Sequence, residues 1–165
     1  MMTHVISRTF IGLLLVVLAG CGFHLKGKAE LPEELKMLYI TGVNINQDKF
    51  GVELKRALTR NGIQVLDTYQ EGASTMTMSS RSRQIPISIG DDALVREYEL
   101  EVITTFDVKD SDGNPFGQKQ RVEARREFQF DRNQLLAMDE QRRVIEEALF
   151  KQNIDSILRR LSAMK

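Results

Sequence analysis

The strongest pattern in this 165-residue chain is the stretch Glu97-Tyr98-Glu99-Leu100-Glu101-Val102-Ile103-Thr104-Thr105-Phe106-Asp107-Val108-Lys109. Its even-numbered residues are apolar or threonine and its odd-numbered residues are mostly charged, a period of two that indicates a strand with one buried and one solvated face. After a turn at residues 110–115, residues 121–130 repeat the alternation. We therefore predict an antiparallel hairpin with an apolar inner face and a charged outer face, whose Glu and Arg rows can pair across the strands.

A β-α-β unit precedes this hairpin. Residues 35–41 predict a covered strand, because both alternating faces are largely apolar. An amphipathic helix should follow, capped by Asn46 or Asp48 and ended by Gly62 in the left-handed conformation. Residues 63–66 then return as a short strand, parallel to the first if the two share a sheet. The apolar face of the helix is formed by Phe50, Leu54, Ala57 and Leu58.

The segment between the β-α-β unit and the hairpin divides into two parts. Within residues 73–83 one alternating set of side chains is polar, which predicts a strand with one solvated face. Residues 84–92 predict a loop, because Pro86 cannot occupy a central ladder position and Gly90 with Asp91 indicates a turn. The isoleucines of this loop are either a surface for a partner or an edge that folds back on the core. They are Ile85, Ile87 and Ile89.

The last segment, residues 134–163, has no Pro or Gly and carries apolar residues at helical spacing. It predicts a long helix across one face of the sheet. The whole pattern predicts an α+β fold, a two-layer sandwich in which a mixed, mostly antiparallel sheet of about four strands carries two helices on one face. There is no internal repeat, so we expect residues 21–165 to form a single domain.

The N-terminus carries a separate signal. An apolar run follows Arg8 and closes on small residues before Cys21, which is the layout of a secretory signal peptide in residues 1–20. The run is too short to span a bilayer, which takes about 20 apolar residues. The tetrad Leu18-Ala19-Gly20-Cys21 resembles a bacterial lipobox, and this resemblance implies cleavage before Cys21 and anchoring in the membrane through acyl chains on that cysteine. The alternative interpretation is an ordinary signal peptide with an incidental cysteine.

Composition excludes several classes of function. Removal of residues 1–20 leaves 22 basic and 23 acidic residues, so no bulk charge attracts nucleic acid, and we expect no nucleic-acid partner. Cys21 is the only cysteine and His24 the only histidine of the remaining chain, which argues against disulfides, histidine-rich metal clusters and a catalytic triad. No nucleotide-binding or protease motif is present. We therefore predict a protein that is not an enzyme and holds no metal or cofactor.

The residues after the cysteine carry a family resemblance. Cys21 is followed by Gly22-Phe23-His24-Leu25-Lys26-Gly27. A lipidated cysteine followed by Gly, an aromatic residue, His, Leu and a basic residue resembles the start of the LptE family (also called RlpB), the lipopolysaccharide-assembly lipoproteins of Gram-negative outer membranes. The order of the later elements fits that family too. Gly22, where Asp would favour retention in the inner membrane, argues for the outer membrane.

The resemblance implies a function without catalysis. Such a lipoprotein plugs the large β-barrel LptD, assists assembly of that barrel and helps to deliver lipopolysaccharide to the outer leaflet, and binding of lipopolysaccharide itself is a further expectation. A lipid-anchored periplasmic carrier of lipid or lipoprotein is the alternative function, and it requires a deep apolar cavity, whereas a plug has a packed core and works by its surface. A lipid-anchored hydrolase is disfavoured, because a nucleophile and base are missing.

Two sets of residues are candidates for binding. Clustered basic residues on the outer face suit the phosphates of lipopolysaccharide, although cross-strand pairing with Glu competes as an explanation for any single arginine. These residues are Arg81, Arg83, Lys119, Arg121 and Arg125. Contacts with the barrel are expected near the anchor and on the isoleucine segment. Those residues are Phe23, His24, Ile85, Ile87 and Ile89.

Overall fold

The computed structural model describes residues 31–131 and 134–164. Within them the chain forms a short 3-10 helix and then, in order, five strands and two α-helices. They are Glu33–Leu35 (3-10), β1 Met37–Thr41, α1 Lys49–Arg60, β2 Gln64–Leu66, β3 Ser74–Ile89, β4 Val95–Lys109, β5 Gln120–Gln129 and α2 Leu135–Ser162. The strands form one sheet in the order β2-β1-β3-β4-β5.

The predicted α+β fold is confirmed. Strand β1 pairs in parallel with both β2 and β3 over short stretches, while β3, β4 and β5 pair antiparallel over most of their length, so the sheet is mixed and mostly antiparallel. It has five strands where we expected about four. Both helices pack on one face, since residues of α1 and α2 share a buried cluster with inner-face residues of β1, β3 and β4. The aromatic rings of Phe50 on α1 and Phe150 on α2 meet edge to face, with centroids 5.5 Å apart.

The first helix ends as the sequence predicts. Gly62 has φ of +90°, and its N–H donates to the carbonyl of Thr59. The N–H of Ile63 donates to the carbonyl of Leu58, which completes a Schellman motif. At the other end Asp48 occupies the N-cap position, but its carboxylate caps no helical N–H and accepts a hydrogen bond from the N–H of Asn44 at 2.9 Å.

A glycine marks the point at which β1 leaves the sheet. The pairing of β1 with β3 stops at Thr41 and Thr77. Gly42 follows with φ of +89°, and a Cβ atom placed on it would lie 1.9 Å from the carbonyl oxygen of Met78. Only glycine allows the chain to turn away at this position. Beyond Thr77, β3 therefore continues as an edge strand.

This edge strand corrects the prediction of a loop at residues 84–92. Strand β3 continues to Ile89 and pairs with β4 up to Val95, with register shifts between Pro86 and Ser88 and between Ser88 and Ile89. The rule against proline applies to central strands, and Pro86 lies where β3 has a partner on one side, so a proline and a bulge are tolerated. The turn predicted at Gly90 and Asp91 is present, and there the N–H of Gly90 donates to the carbonyl of Leu94.

A polar seam divides the core under the helices. Leu100, Val102 and Phe128 belong to one buried cluster near the start of α2, and Met76, Met78 and Phe106 belong to a larger one. Between them the hydroxyls of Ser80 and Thr104 lie 3.0 Å apart, and the amide of fully buried Asn153 on α2 donates to the carbonyl of Val102 at 3.0 Å. The seam fixes α2 on the middle of β4, because a buried polar group must keep its partners.

Candidate functional site

The candidate site lies on the sheet surface opposite the helices, which we call the open face. Registers across β3, β4 and β5 arrange it in rows of three residues, one from each strand. One row is Arg81, Ile103 and Glu123, and the next is Arg83, Glu101 and Arg125. The outer rows are Ser79, Thr105 and Arg121 on one side and Ile85, Glu99 and Glu127 on the other.

Glu101 lies at the centre of the open face and is 0% exposed, although both described α-helices lie on the other face of the sheet. Its Oε2 accepts a hydrogen bond from Nε of Arg83, and its Oε1 lies 2.8 Å from Nη2 of Arg125. Oε1 accepts no hydrogen bond from the residues that the structure describes. The two arginine side chains are its neighbours on the adjacent strands and remain half exposed, so they cover the carboxylate and are themselves in contact with solvent.

The far side of the open face carries a second carboxylate between two arginines. Oε2 of Glu123 accepts from Nη2 of Arg121 at 2.6 Å, and Oε1 accepts from Nε of Arg125 at 2.6 Å. The hydrogen bond from Arg121 lowers the pKa of Glu123, and the bond from Arg125 adds to this against the opposing effect of desolvation. The hydrogen bond to Glu123 likewise raises the pKa of Arg125. Three of the predicted arginines are therefore held by carboxylates.

A second feature lies where β3 turns into β4 and where α2 begins, and we call it the apolar end. It consists of exposed aliphatic side chains, with Ile89 66% and Leu136 88% exposed, and includes Ile87 and Leu135. The N–H of Phe130 donates to the carbonyl of Arg96, and that of Asp131 donates to Sδ of Met138, so the start of β4, the end of β5 and the start of α2 lie at the same end of the molecule.

Comparison with known proteins identifies the family. The model of the LptE family, described as lipopolysaccharide-assembly, matches residues 35–161. This chain belongs to the LptE family. An LPS-assembly lipoprotein LptE from Photorhabdus laumondii is 27% identical over 164 residues, which cover 97% of this chain and 87% of that protein. One from Pectobacterium atrosepticum is 28% identical over 104 residues, 60% of this chain and 54% of that protein.

Solved structures share the fold of this LptE family member. The solution structure of a lipoprotein B from Nitrosomonas europaea has a TM-score of 0.69 at 23% identity and covers 86% of this chain and 91% of its own. A minor lipoprotein from Acinetobacter baumannii has a TM-score of 0.64 at 23% identity and covers 78% of this chain and 92% of its own. At this identity the likeness shows the fold alone. The family name identifies a lipoprotein of lipopolysaccharide assembly, an assembly function and not a reaction.

The predicted binding residues of this LptE family member fall into three groups. Arg81, Arg83, Arg121 and Arg125 come together on the open face, where the predicted pairing with glutamate is present for the last three. Lys119 is exposed in the connection before β5. Neither Arg81 nor Lys119 has an ion pair with the described residues. Ile87 and Ile89 are exposed and Ile85 is half-buried, whereas Cys21, Phe23 and His24 lie outside the described residues.

The start of α2 is the part of the surface that the sequence analysis missed. Leu135 and Leu136 are both exposed at the start of α2, whereas the stripe of this helix that faces the sheet contains Ile145, Leu149 and Ile157. Two leucines next to each other at a helix start, out of phase with the apolar stripe, are the signal that could have revealed them.

The groove between the two described α-helices is not the deep apolar chamber that a lipid carrier requires. It has a volume of about 720 Å³, but charged side chains including Lys49, Arg56 and Glu147 line it together with apolar ones. Within residues 31–131 and 134–164, no group of three His, Cys, Asp or Glu side chains is placed to hold a metal ion. Neither described helix is long and apolar enough to cross a membrane.

Proposed function

We propose that this LptE family member is an outer-membrane lipoprotein whose single domain, residues 21–165, plugs an LptD-like β-barrel, assists assembly of the barrel and helps to deliver lipopolysaccharide to the outer leaflet. Removal of residues 1–20 would leave Cys21 as the acylated anchor. Two or more acyl chains give stable attachment to a membrane, whereas one chain gives marginal attachment. The observation that carries the partner proposal is the apolar end.

Exposed aliphatic side chains at the apolar end favour a protein partner. Ile87 and Ile89 on β3 and Leu135 and Leu136 on α2 present apolar surface from two elements at the same end of the molecule. Burying apolar surface is worth roughly 25 cal/mol per Å², so a complementary wall of a barrel would gain from covering them. Phe23 and His24, close to the anchor, are proposed as further contacts.

The partner proposal is tested by pull-down of tagged protein from outer membranes in mild detergent, with co-purifying proteins identified by mass. We expect a large β-barrel protein in stoichiometric amount with the wild type and severalfold less with Ile87→Asp, because a buried unpaired carboxylate is costly. Val144→Asp is the matched control, since Val144 is a similarly exposed aliphatic residue of α2 outside the apolar end. Equal barrel recovery for both variants would contradict the proposed contact.

The proposed ligand site is the open face. Arginine is suited to phosphate because its planar guanidinium forms paired, charge-assisted hydrogen bonds. Arg81 and Lys119 would bind lipid A phosphates directly, since neither has an ion pair with the described residues. Arg83, Arg121 and Arg125 would contribute the part of each guanidinium that faces solvent.

Binding of purified lipopolysaccharide to the detergent-solubilised protein tests the ligand site. Charge reversal at both positions, Arg81→Glu with Arg121→Glu, should weaken binding at least tenfold, since like charges would then face the phosphates. Arg56→Glu is the control, because Arg56 is an exposed arginine of α1 that also pairs with a glutamate, Glu53. Unchanged binding in the double variant would remove the open face as the ligand site. A protein that purified alone with only extracted lipid would favour the carrier function.

A further inference from the structure

We propose that Glu101 is a positioning residue for anion binding, which holds Arg83 and Arg125 in the arrangement that receives one phosphate group of the ligand. This inference rests on the proposed ligand site. It concerns a residue that makes no contact with the ligand itself, because its side chain is completely buried.

The register of the sheet places Glu101 between the two arginines. Arg83 is its partner on β3 and Arg125 its partner on β5, so the three residues form one row across three strands. Neighbouring strands lie about 4.8 Å apart, and without a tether two long arginine side chains in such a row would repel each other and spread into solvent. Glu101 contacts both guanidinium groups and draws them toward the centre of the row.

The position does not require a charge for packing. Ile103, the next open-face residue along β4, is also buried, at 3% exposure, and it is apolar. A fully buried carboxylate is costly to desolvate and often stabilises no more than an apolar residue of similar size. The carboxylate at Glu101 is therefore better explained by what it does to the two arginines than by the stability that it adds to the sheet.

Other carboxylates fix one arginine and leave the second dependent on Glu101. Arg125 has Glu123 as a hydrogen-bond partner through Nε and lies 3.6 Å from Glu99 through Nη1. Arg83 is held through Nε by Glu101, and within residues 31–131 and 134–164 its ion pair with Glu101 is its only one. Arg83 should therefore lose its position when the carboxylate is removed, while Arg125 should keep most of its own.

Charge and position predict opposite results for Glu101→Gln. The substitution removes one negative charge from the row, so electrostatics alone predicts tighter binding of an anion. A positioning role predicts weaker binding, by roughly tenfold, because a mobile Arg83 must be ordered when the ligand binds. Glu101→Asp keeps the charge but withdraws the carboxylate by one methylene, so here electrostatics predicts no change and positioning again predicts weaker binding.

The experiment measures binding of purified lipopolysaccharide, and of the same material with its phosphates removed, to the full-length lipidated protein. Glu127→Gln is the matched control, because it removes the same charge from the rim of the open face, where Glu127 has no ion pair with the described residues. We expect weaker binding for Glu101→Gln and Glu101→Asp, tighter binding for Glu127→Gln, as electrostatics alone predicts, and no such differences with the dephosphorylated probe.

A double-mutant cycle separates positioning from a general structural effect. Arg83→Gln should weaken binding in the wild type and have little further effect in the Glu101→Gln background. If Glu101→Gln instead weakened binding by disturbing the fold, the effects of the two substitutions would add. Binding by Glu101→Gln and Glu101→Asp as tight as that of the wild type, with Arg83→Gln still harmful, would overturn the positioning role alone. If Arg83→Gln and Arg125→Gln both left binding unchanged, the proposed ligand site would fail as well.

Discussion

The two faces of β4 bury their side chains by different means. On the face under the helices, Leu100, Val102 and Phe106 are buried by apolar side chains from other elements. On the open face, Glu101 and Ile103 are equally buried, yet their neighbours on the adjacent strands are charged residues of β3 and β5. Burial in this sheet is therefore not confined to the hydrophobic core, and on the open face it occurs among charged neighbours.

This difference has a consequence for function. A core under helices cannot be rearranged without loss of packing, because protein interiors are close to crystalline density. A layer of arginine side chains over a sheet is half in solvent and exchanges partners at low cost, since exposed ion pairs contribute little to stability. Under the proposed function, the exposed ion pair of Arg121 and Glu123 can open to an anionic ligand, whereas buried Glu101 keeps Arg83 and Arg125 in place and the fold remains intact.

The largest effect should come from the inner face. Phe106→Ala removes a ring that is 1% exposed within the larger apolar cluster, and we expect a loss of about 3–5 kcal/mol in the free energy of unfolding. Urea unfolding followed by circular dichroism measures it, with Phe106→Leu as a milder control. A loss below about 1 kcal/mol would mean that the inner face is as adaptable as the open face.

An intermediate effect should come from the buried apolar residue of the open face. Ile103→Ala should cost about 2 kcal/mol, at the lower end for such truncations, because the flanking side chains of Arg81 and Glu123 can collapse into the space. Leu100→Ala is the matched control, since it removes the same number of carbon atoms from a similarly buried residue under the helices. An equal or greater loss for Ile103→Ala would end the distinction between the faces.

The periodicity of the sequence was sufficient for most of the fold. Period-two alternation predicted the hairpin of β4 and β5, and helical spacing predicted α1 and α2 within one or two residues of their observed bounds. The conformation of Gly62 was predictable because a left-handed position after a helix favours glycine. These features depend on local pattern and on residue type, both of which a sequence contains.

Other features depend on contacts between distant residues. Whether the second half of β3 is an edge depends on where β1 stops. The approach of Gly42 to Met78, 36 positions later, fixes that point, so Pro86 could not be assigned to an edge from the sequence. The burial of Glu101 depends on the register of three strands. A glutamate in an alternating strand is usually solvated, and neither its depth nor its two arginine partners could be predicted from alternation alone.

The smallest effect concerns the exposed ion pair of Arg121 and Glu123 at the far side of the open face. It should appear in the pH dependence of the free energy of unfolding. The hydrogen bond from Arg121 holds the pKa of Glu123 below its usual range, so this contribution to stability is complete above the value of an unfolded glutamate, about 4.3, and is lost as the pH falls through the lower folded value. The stability difference between the wild type and Glu123→Gln should be constant from pH 7 to about 5 and shrink below about 4.

Unfolding in urea at a series of pH values measures this difference, which should lie near the resolution limit of the method because the pair is exposed to solvent. In an Arg121→Gln background most of the pH dependence should disappear, since the strongest cause of the lowered pKa is gone. A difference that grew as the pH fell would have the wrong sign for a carboxylate stabilised in its charged form. It would mean that Glu123 is held in its protonated form, and the open face would then not be the exchangeable layer of ion pairs that distinguishes it from the inner face.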